Sequence, residues 1–140
     1  MTNEFALIHP MFAMVLLTFG VLVALFRARS SAVARGELSA GYFKTYQGGE
    51  EPTGSVQLAR HFANLFGVPT LFYAACLAAM VTGQASHAVL GFAWAYVLAR
   101  CIHSFIHTGS NALYPRIGAY FGSWVMLLGL WIAVVVGAAP

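Results

Sequence analysis

Apolar residues fall along this chain in four long runs, separated by stretches that carry most of its polar and turn-forming residues. The runs cover Phe5 to Phe26, Val56 to Val81, His87 to His107 and Ile117 to Val136. Each is close to the roughly 20 residues that an α-helix needs to cross the hydrocarbon core of a bilayer. The pattern predicts an all-α fold: an integral membrane four-helix bundle of four transmembrane helices, forming one domain over residues 1–140.

The punctuation between and within the runs refines this. Pro10 is tolerable in a first helical turn, Pro69 is expected to kink the second span, and Pro115 suits a helix start. Ser55 is a candidate cap for the second helix. Thr82 to Ser86 and Thr108 to Asn111 read as tight connections. Residues 27–55 form the only long polar loop, with the turn-like Gln47-Gly48-Gly49-Glu50-Glu51-Pro52, and no firm secondary structure is expected there. Long loops of this kind are usually functional or mobile. Gly20, Gly91, Gly118, Gly122 and Gly129 are expected to permit close helix approach.

Composition sharpens the class. Of 140 residues 60% are apolar and only 8% charged, with no aspartate. A soluble domain carries about 25% charged residues, so the exterior must face lipid. The first run does not read as a signal peptide, because Glu4 precedes it and Arg27 and Arg29 follow it. The net charge of +3 is too small and too scattered for nucleic-acid binding. Its distribution is informative, however. Arg27, Arg29, Arg35, Lys44 and Arg116 fall in or beside the first and third connections, and Arg60 and Arg100 lie in the helix halves nearest that side. The positive-inside rule makes that side cytoplasmic and sends both termini outward. Cys76 and Cys101 fall at depths ~14 Å apart at 1.5 Å per residue, too far for an internal bridge, and read as packing residues.

The candidate chemistry begins at Arg60-His61-Phe62-Ala63-Asn64. Arg60, Asn64 and Gly67 lie at i, i+4 and i+7, on one helical stripe. Tyr96, Arg100, His103 and His107 form a second stripe on the third span. Counted from the cytoplasmic ends at 1.5 Å per residue, Arg60 lies ~6 Å deep, His103 ~7 Å, and Asn64 and Arg100 both ~12 Å. Matching levels imply one shared polar pocket open to the cytoplasmic side. No acid lies in either stripe, so the cations suit an external anion, a lipid phosphate or water. Plainer readings stand beside this one. Arg60 can snorkel to headgroups, and Asn64 can be an interhelical hydrogen-bond staple. The pair His103 and His107 has metal half-site spacing, but no third carboxylate or thiolate ligand is in view, so no metal is expected. His9, His61 and His87 read as interfacial, and the tryptophans as packing or belt residues.

With these residues in hand, the chain resembles the MAPEG family, the membrane-associated proteins of eicosanoid and glutathione metabolism. The resemblance rests on the four spans, the long first loop, Arg60-x-x-x-Asn64 opening the second span with Pro69 after it, and Leu98-Ala99-Arg100 before a polar-studded helix end. It implies a homotrimer in a bacterial inner membrane, with glutathione held between subunits near the cytoplasmic face. Arg60 and Asn64 match positions that contact glutathione in catalytic relatives, and Arg27 or Arg29 matches a basic residue ending the first helix. Arg116 stands in for an arginine that faces the thiol in some members, with Arg100 as the alternative. This chain departs from the pattern where Gly67 replaces a glutamate, Val68 a tyrosine, and His103 and His107 two tyrosines. The resemblance thus implies ligand binding by Arg60, Asn64, His103, His107 and Arg27, and thiolate stabilisation by Arg116 or Arg100. The expected activity is a glutathione-dependent transferase or peroxidase acting on lipophilic small molecules. The alternative is a non-catalytic trimer whose stripes hold membrane lipids. A small transporter is less favoured, since four spans without an intramembrane acid or a broken-helix pair give it little support.

Overall fold

The computed structural model describes residues 4–138, so the extreme ends of the chain, whose side of the membrane the charge pattern addresses, lie outside the described residues. A 3-10 turn over Glu4–Leu7 leads into α1 (Ile8–Ala34), followed by the single turn α2 (Tyr42–Thr45), α3 (Thr53–Asn64), α4 (Val68–Val81), α5 (His87–Thr108) and α6 (Leu113–Gly137). No strand occurs among the described residues. The four stretches long and apolar enough to cross a membrane are Phe5–Ala34, Thr53–Val81, His87–Thr108 and Leu113–Gly137. The four-span helical bundle is therefore the fold.

Each helix buries one narrow seam. On α1 it is Met14, Val21, Leu25 and Ala32, and on α6 Ser123, Leu127, Leu130 and Val134. Of these, Met14, Val21, Leu127, Leu130 and Val134 join one core cluster with Phe72, Ala75, Cys76 and Ala79 of α4 and Val89, Ala93, Tyr96 and Val97 of α5. Outside the seams stand exposed large side chains such as Phe12, Phe19, Leu98, Phe121 and Ile132. A bundle whose seams are this narrow is stable only where its flanks are surrounded by something other than water.

Several boundaries differ from the pattern of apolar runs. The first helix does not stop at Phe26; it carries Arg27 and Arg29 and continues to Ala34. Its stop is Gly36, at φ 74°, with Gly36 N–H donating to the Val33 carbonyl and Glu37 N–H to that of Ala32, each at 3.0 Å. A left-handed residue there closes the last turn, and glycine takes that conformation without steric cost. The loop that follows is also more ordered than expected. Arg29 forms an ion pair with Glu51 at 2.9 Å and lies over the rings of Phe43 and Tyr46, 4.9 and 5.6 Å from their centroids. The loop is thereby folded back onto the end of α1.

Ser55 is not the cap of the second span. The helix begins at Thr53 after Pro52, and the Ser55 hydroxyl donates to Glu51. Ser86 does cap α5, its hydroxyl oxygen accepting from Val89 N–H at 3.2 Å. Pro69 does more than kink the second span, which breaks outright between α3 and α4 at Leu65 to Gly67. Across the break Leu65, Phe66 and Gly67 donate to carbonyls three residues back, at 3.0, 3.1 and 3.3 Å, and Thr70 donates to Gly67 through both its amide and its hydroxyl. These tightened bonds satisfy the interrupted backbone, as a break inside an apolar span requires. Of the five glycines expected at close helix approaches, only Gly129 is at one: a Cβ there would lie 2.5 Å from the Phe92 ring. At Gly20, Gly91, Gly118 and Gly122 nothing lies within 4 Å.

Candidate functional site

The break between α3 and α4 leaves α3 as a short amphipathic rod leaning on the last turns of α5. Gln57 ties the two together, its amide donating to the carbonyls of His107 at 2.6 Å and Gly109 at 3.3 Å. That fixes how deep α3 sits, and so which of its residues face α5. Asn64 comes level with Arg100, and the Arg100 guanidinium donates to Asn64 Oδ1 at 2.7 Å. The matching depths read along the two stripes are thus realised as a direct contact.

Arg60, Asn64, His103, His107 and Arg116 converge on one cavity of about 310 Å³, completed by Ile117, Tyr120 and Phe121 of α6. Larger depressions exist elsewhere. One of about 440 Å³ between Phe26 and Phe43 is mainly apolar, with Arg29 and Ser30 as its polar lining. Size alone does not choose the site; convergent polar groups do. The α6 cavity is lined by two guanidiniums, an amide and two imidazoles, with no acid among its lining residues. It can hold an anion against aromatic and aliphatic walls.

Arg116 is held in place by Asn111, whose side-chain oxygen accepts from its guanidinium at 2.6 Å. Asn111 sits at φ 51° in the connection between α5 and α6, and asparagine tolerates that left-handed conformation better than most residues. His103 is fixed from the same direction, its Nδ1 lying 3.1 Å from the Arg116 carbonyl oxygen. The first turns of α6 therefore set two of the cavity's polar groups at once.

Two expected site residues lie elsewhere. Arg100 is fully buried behind Asn64 and does not line the cavity; its remaining Nε and Nη1 atoms find no hydrogen-bond partner among the described residues. It positions the amide, and Arg116 alone of the two presents its guanidinium to the space. Arg27 opens on a separate polar depression of about 600 Å³ shared with Arg35, Ser55 and Gln57. Tyr96, on the same stripe as Arg100, is also absent from the cavity and stacks on Phe72 at 4.5 Å in the core.

The largest departure from the sequence reading is His61. It is not interfacial. It is fully buried, with Nδ1 3.1 Å from His107 Nδ1 and Nε2 against the Ser104 hydroxyl. Its position was legible, because His61, Leu65, Val68 and Phe72 follow the i, i+4, i+7, i+11 spacing of one buried face. One nitrogen from each of His61, His103 and His107 lies within 4.8 Å of the others. The H-x-x-x-H pair thus has a third imidazole beside it, from the neighbouring helix.

Fold and site together define a four-span membrane bundle with a cation-lined cavity at one end. The MAPEG family model matches residues 7–136 of the chain, which belongs to that family. No significant match to a curated protein or to a solved structure was found.

Proposed function

We propose that this MAPEG protein is a glutathione-dependent transferase acting on lipophilic electrophiles that reach the cavity through the bilayer. The observation that carries the reading is the convergence of Arg60, Asn64 and Arg116 on one acid-free cavity. In this reading Arg60 anchors a glutathione carboxylate through its planar fork. Asn64, its oxygen already committed to Arg100, offers its NH2 group to the peptide. Arg116 faces the thiol and favours the thiolate, as a nearby cation does. The sulfur then attacks the electrophilic carbon, a C–S bond forms, and a leaving group departs with its electron pair.

The assembly proposed is a homotrimer with the cavity completed between subunits, in a bacterial inner membrane with both termini outside the cytoplasm. What supports it is family membership, the exposed flanks of the bundle and the concentration of arginines at one end. The second reading is a non-catalytic lipid-binding trimer. It is favoured by one departure from the resemblance: Gly67 stands where the family's motif implies a ligand-holding glutamate.

Calorimetry with glutathione on the detergent-solubilised protein separates them. Micromolar-range binding that is lost in Arg60→Ala and in Arg116→Ala supports the transferase reading. A Cβ at Gly67 meets only the Asn64 carbonyl, at 3.7 Å, so Gly67→Glu has room and is expected to tighten binding. No binding in wild type or in Gly67→Glu, with anionic phospholipid retained through purification, overturns it in favour of the lipid reading.

A further inference from the structure

We infer that His61, His103 and His107 form a transition-metal site, taking a divalent ion of the zinc, cobalt or copper class with an anionic fourth ligand from the cavity. The first ground is geometry. The three rings come from two helices, with centroids 4.7, 5.4 and 5.6 Å apart, and one nitrogen of each lies within 4.8 Å of the others. Zinc–nitrogen bonds of about 2.0–2.1 Å in a tetrahedron put ligand nitrogens roughly 3.3–3.4 Å apart. The His61–His107 pair is already at 3.1 Å, and His103 stands within 4.8 Å of both, a separation that must shorten by roughly 1.5 Å at most for all three to reach one ion.

Protonation is the second ground. His103 Nδ1 faces the Arg116 carbonyl, which can only accept, so Nδ1 carries the proton and Nε2 is left with a bare lone pair. That Nε2 is buried and has no hydrogen-bond partner among the described residues. Between His61 and His107 two Nδ1 atoms face each other, and only one proton or one metal ion fits between them. His61 Nε2 meets the Ser104 hydroxyl. A carbonyl and a hydroxyl on the far nitrogens are the outer partners that hold imidazole ligands in orientation. All three histidines are buried, at 0, 3 and 8% exposure, and an orphaned lone pair in such a place costs free energy that a metal bond removes.

Charge sets the remaining ligand. No carboxylate lines the cavity that His103 and His107 share, whereas Arg60 and Arg116 do. Three neutral imidazoles leave the ion's charge uncompensated beside those guanidiniums, so the fourth ligand must be an anion such as hydroxide, thiolate or carboxylate. Nitrogen ligands exclude magnesium and calcium, which take oxygen. The site does not depend on glutathione and stands if that reading fails.

The test uses untagged protein in detergent, stripped with a chelator and titrated with Co2+. One Co2+ per chain is expected, with the intense visible bands of four-coordinate cobalt, displaced by Zn2+ and unaffected by excess Mg2+. His61→Ala and His107→Ala should abolish the bands. His103→Gln, which keeps a polar group towards Arg116, should do the same while leaving the helical circular dichroism intact. Ser104→Ala should weaken binding about tenfold, as loss of an outer partner does. A wild-type protein showing no four-coordinate bands and no Zn2+-dependent rise in melting temperature overturns the site, as does cobalt binding that survives all three histidine variants.

Discussion

Asn64 carries two obligations at once. Its side-chain oxygen holds the buried Arg100 guanidinium at 2.7 Å, and the same side chain lines the cavity. Asn64→Ala strips that partner from a cation whose other two nitrogens are already unpaired. A hydrogen bond to a charged group contributes about 1.5–3 kcal/mol, and the expected loss in detergent melting experiments is of that size. Asn64→Asp supplies a carboxylate to Arg100, so stability should return to wild type or above, while anion affinity in the cavity falls. Equal melting of wild type and Asn64→Ala would remove Arg100 as a cost that Asn64 offsets. At this scale the sequence showed most of the cavity: Arg60, Asn64, His103, His107 and Arg116 were readable from spacing, depth or resemblance, and they meet. It did not show which of Arg100 and Arg116 faces the space. That choice depends on Asn64 Oδ1 capturing one and Asn111 the other, a tertiary fact. His61 was legible in the spacing of the buried face but reads as interfacial by its place near the end of its span, and consecutive helical residues point about 100° apart, so Arg60 beside it says nothing of which way it faces. Tyr120 and Phe121 carried no signal at all, since an apolar helix entering lipid looks alike on every face.

Among the elements, α5 and α6 make the most extensive contact in the bundle, and at Gly129 the Phe92 ring of α5 packs directly against the backbone of α6. A methyl group there would sit 2.5 Å from a Phe92 ring atom. Gly129→Ala is therefore expected to cost about 1–3 kcal/mol through overpacking. Phe92→Ala made together with it should cost less than the two changes summed, and strict additivity would show that the two positions do not touch. The spans themselves were legible, because about 20 apolar residues in a row have few other uses. Their ends were not. Arg27 and Arg29 looked like a boundary, yet helix geometry continues through polar residues until something stops it, and Gly36 is that stop. The signal was present as a glycine followed by an acid. It was outweighed by the change in hydropathy, which marks where apolar surface ends rather than where the helix does.

Across the whole molecule, polar order is concentrated at one end. The Arg29–Glu51 pair, the Gln57 tie, the histidine cluster and the Arg100–Asn64 contact join the α1–α3 connection, α3, the last turns of α5 and the start of α6. The rest is held by narrow apolar seams. The interruption at Leu65 to Gly67 falls between these two regimes. Mechanically, it turns one long rod into a fixed post and a short lever. Everything α3 contributes to the cavity rides on the lever, and the fully buried Phe72, Ala75, Cys76 and Ala79 belong to the post. Amide exchange followed by mass spectrometry should therefore divide at Gly67, with α3 exchanging well before α4. A single rate across both would mean that the rod is undivided. Shifting this lever of twelve residues means breaking the bonds of Gln57, His61 and Asn64 to α5, so whatever fills the cavity moves it only by replacing them. The post keeps the fold intact while it moves.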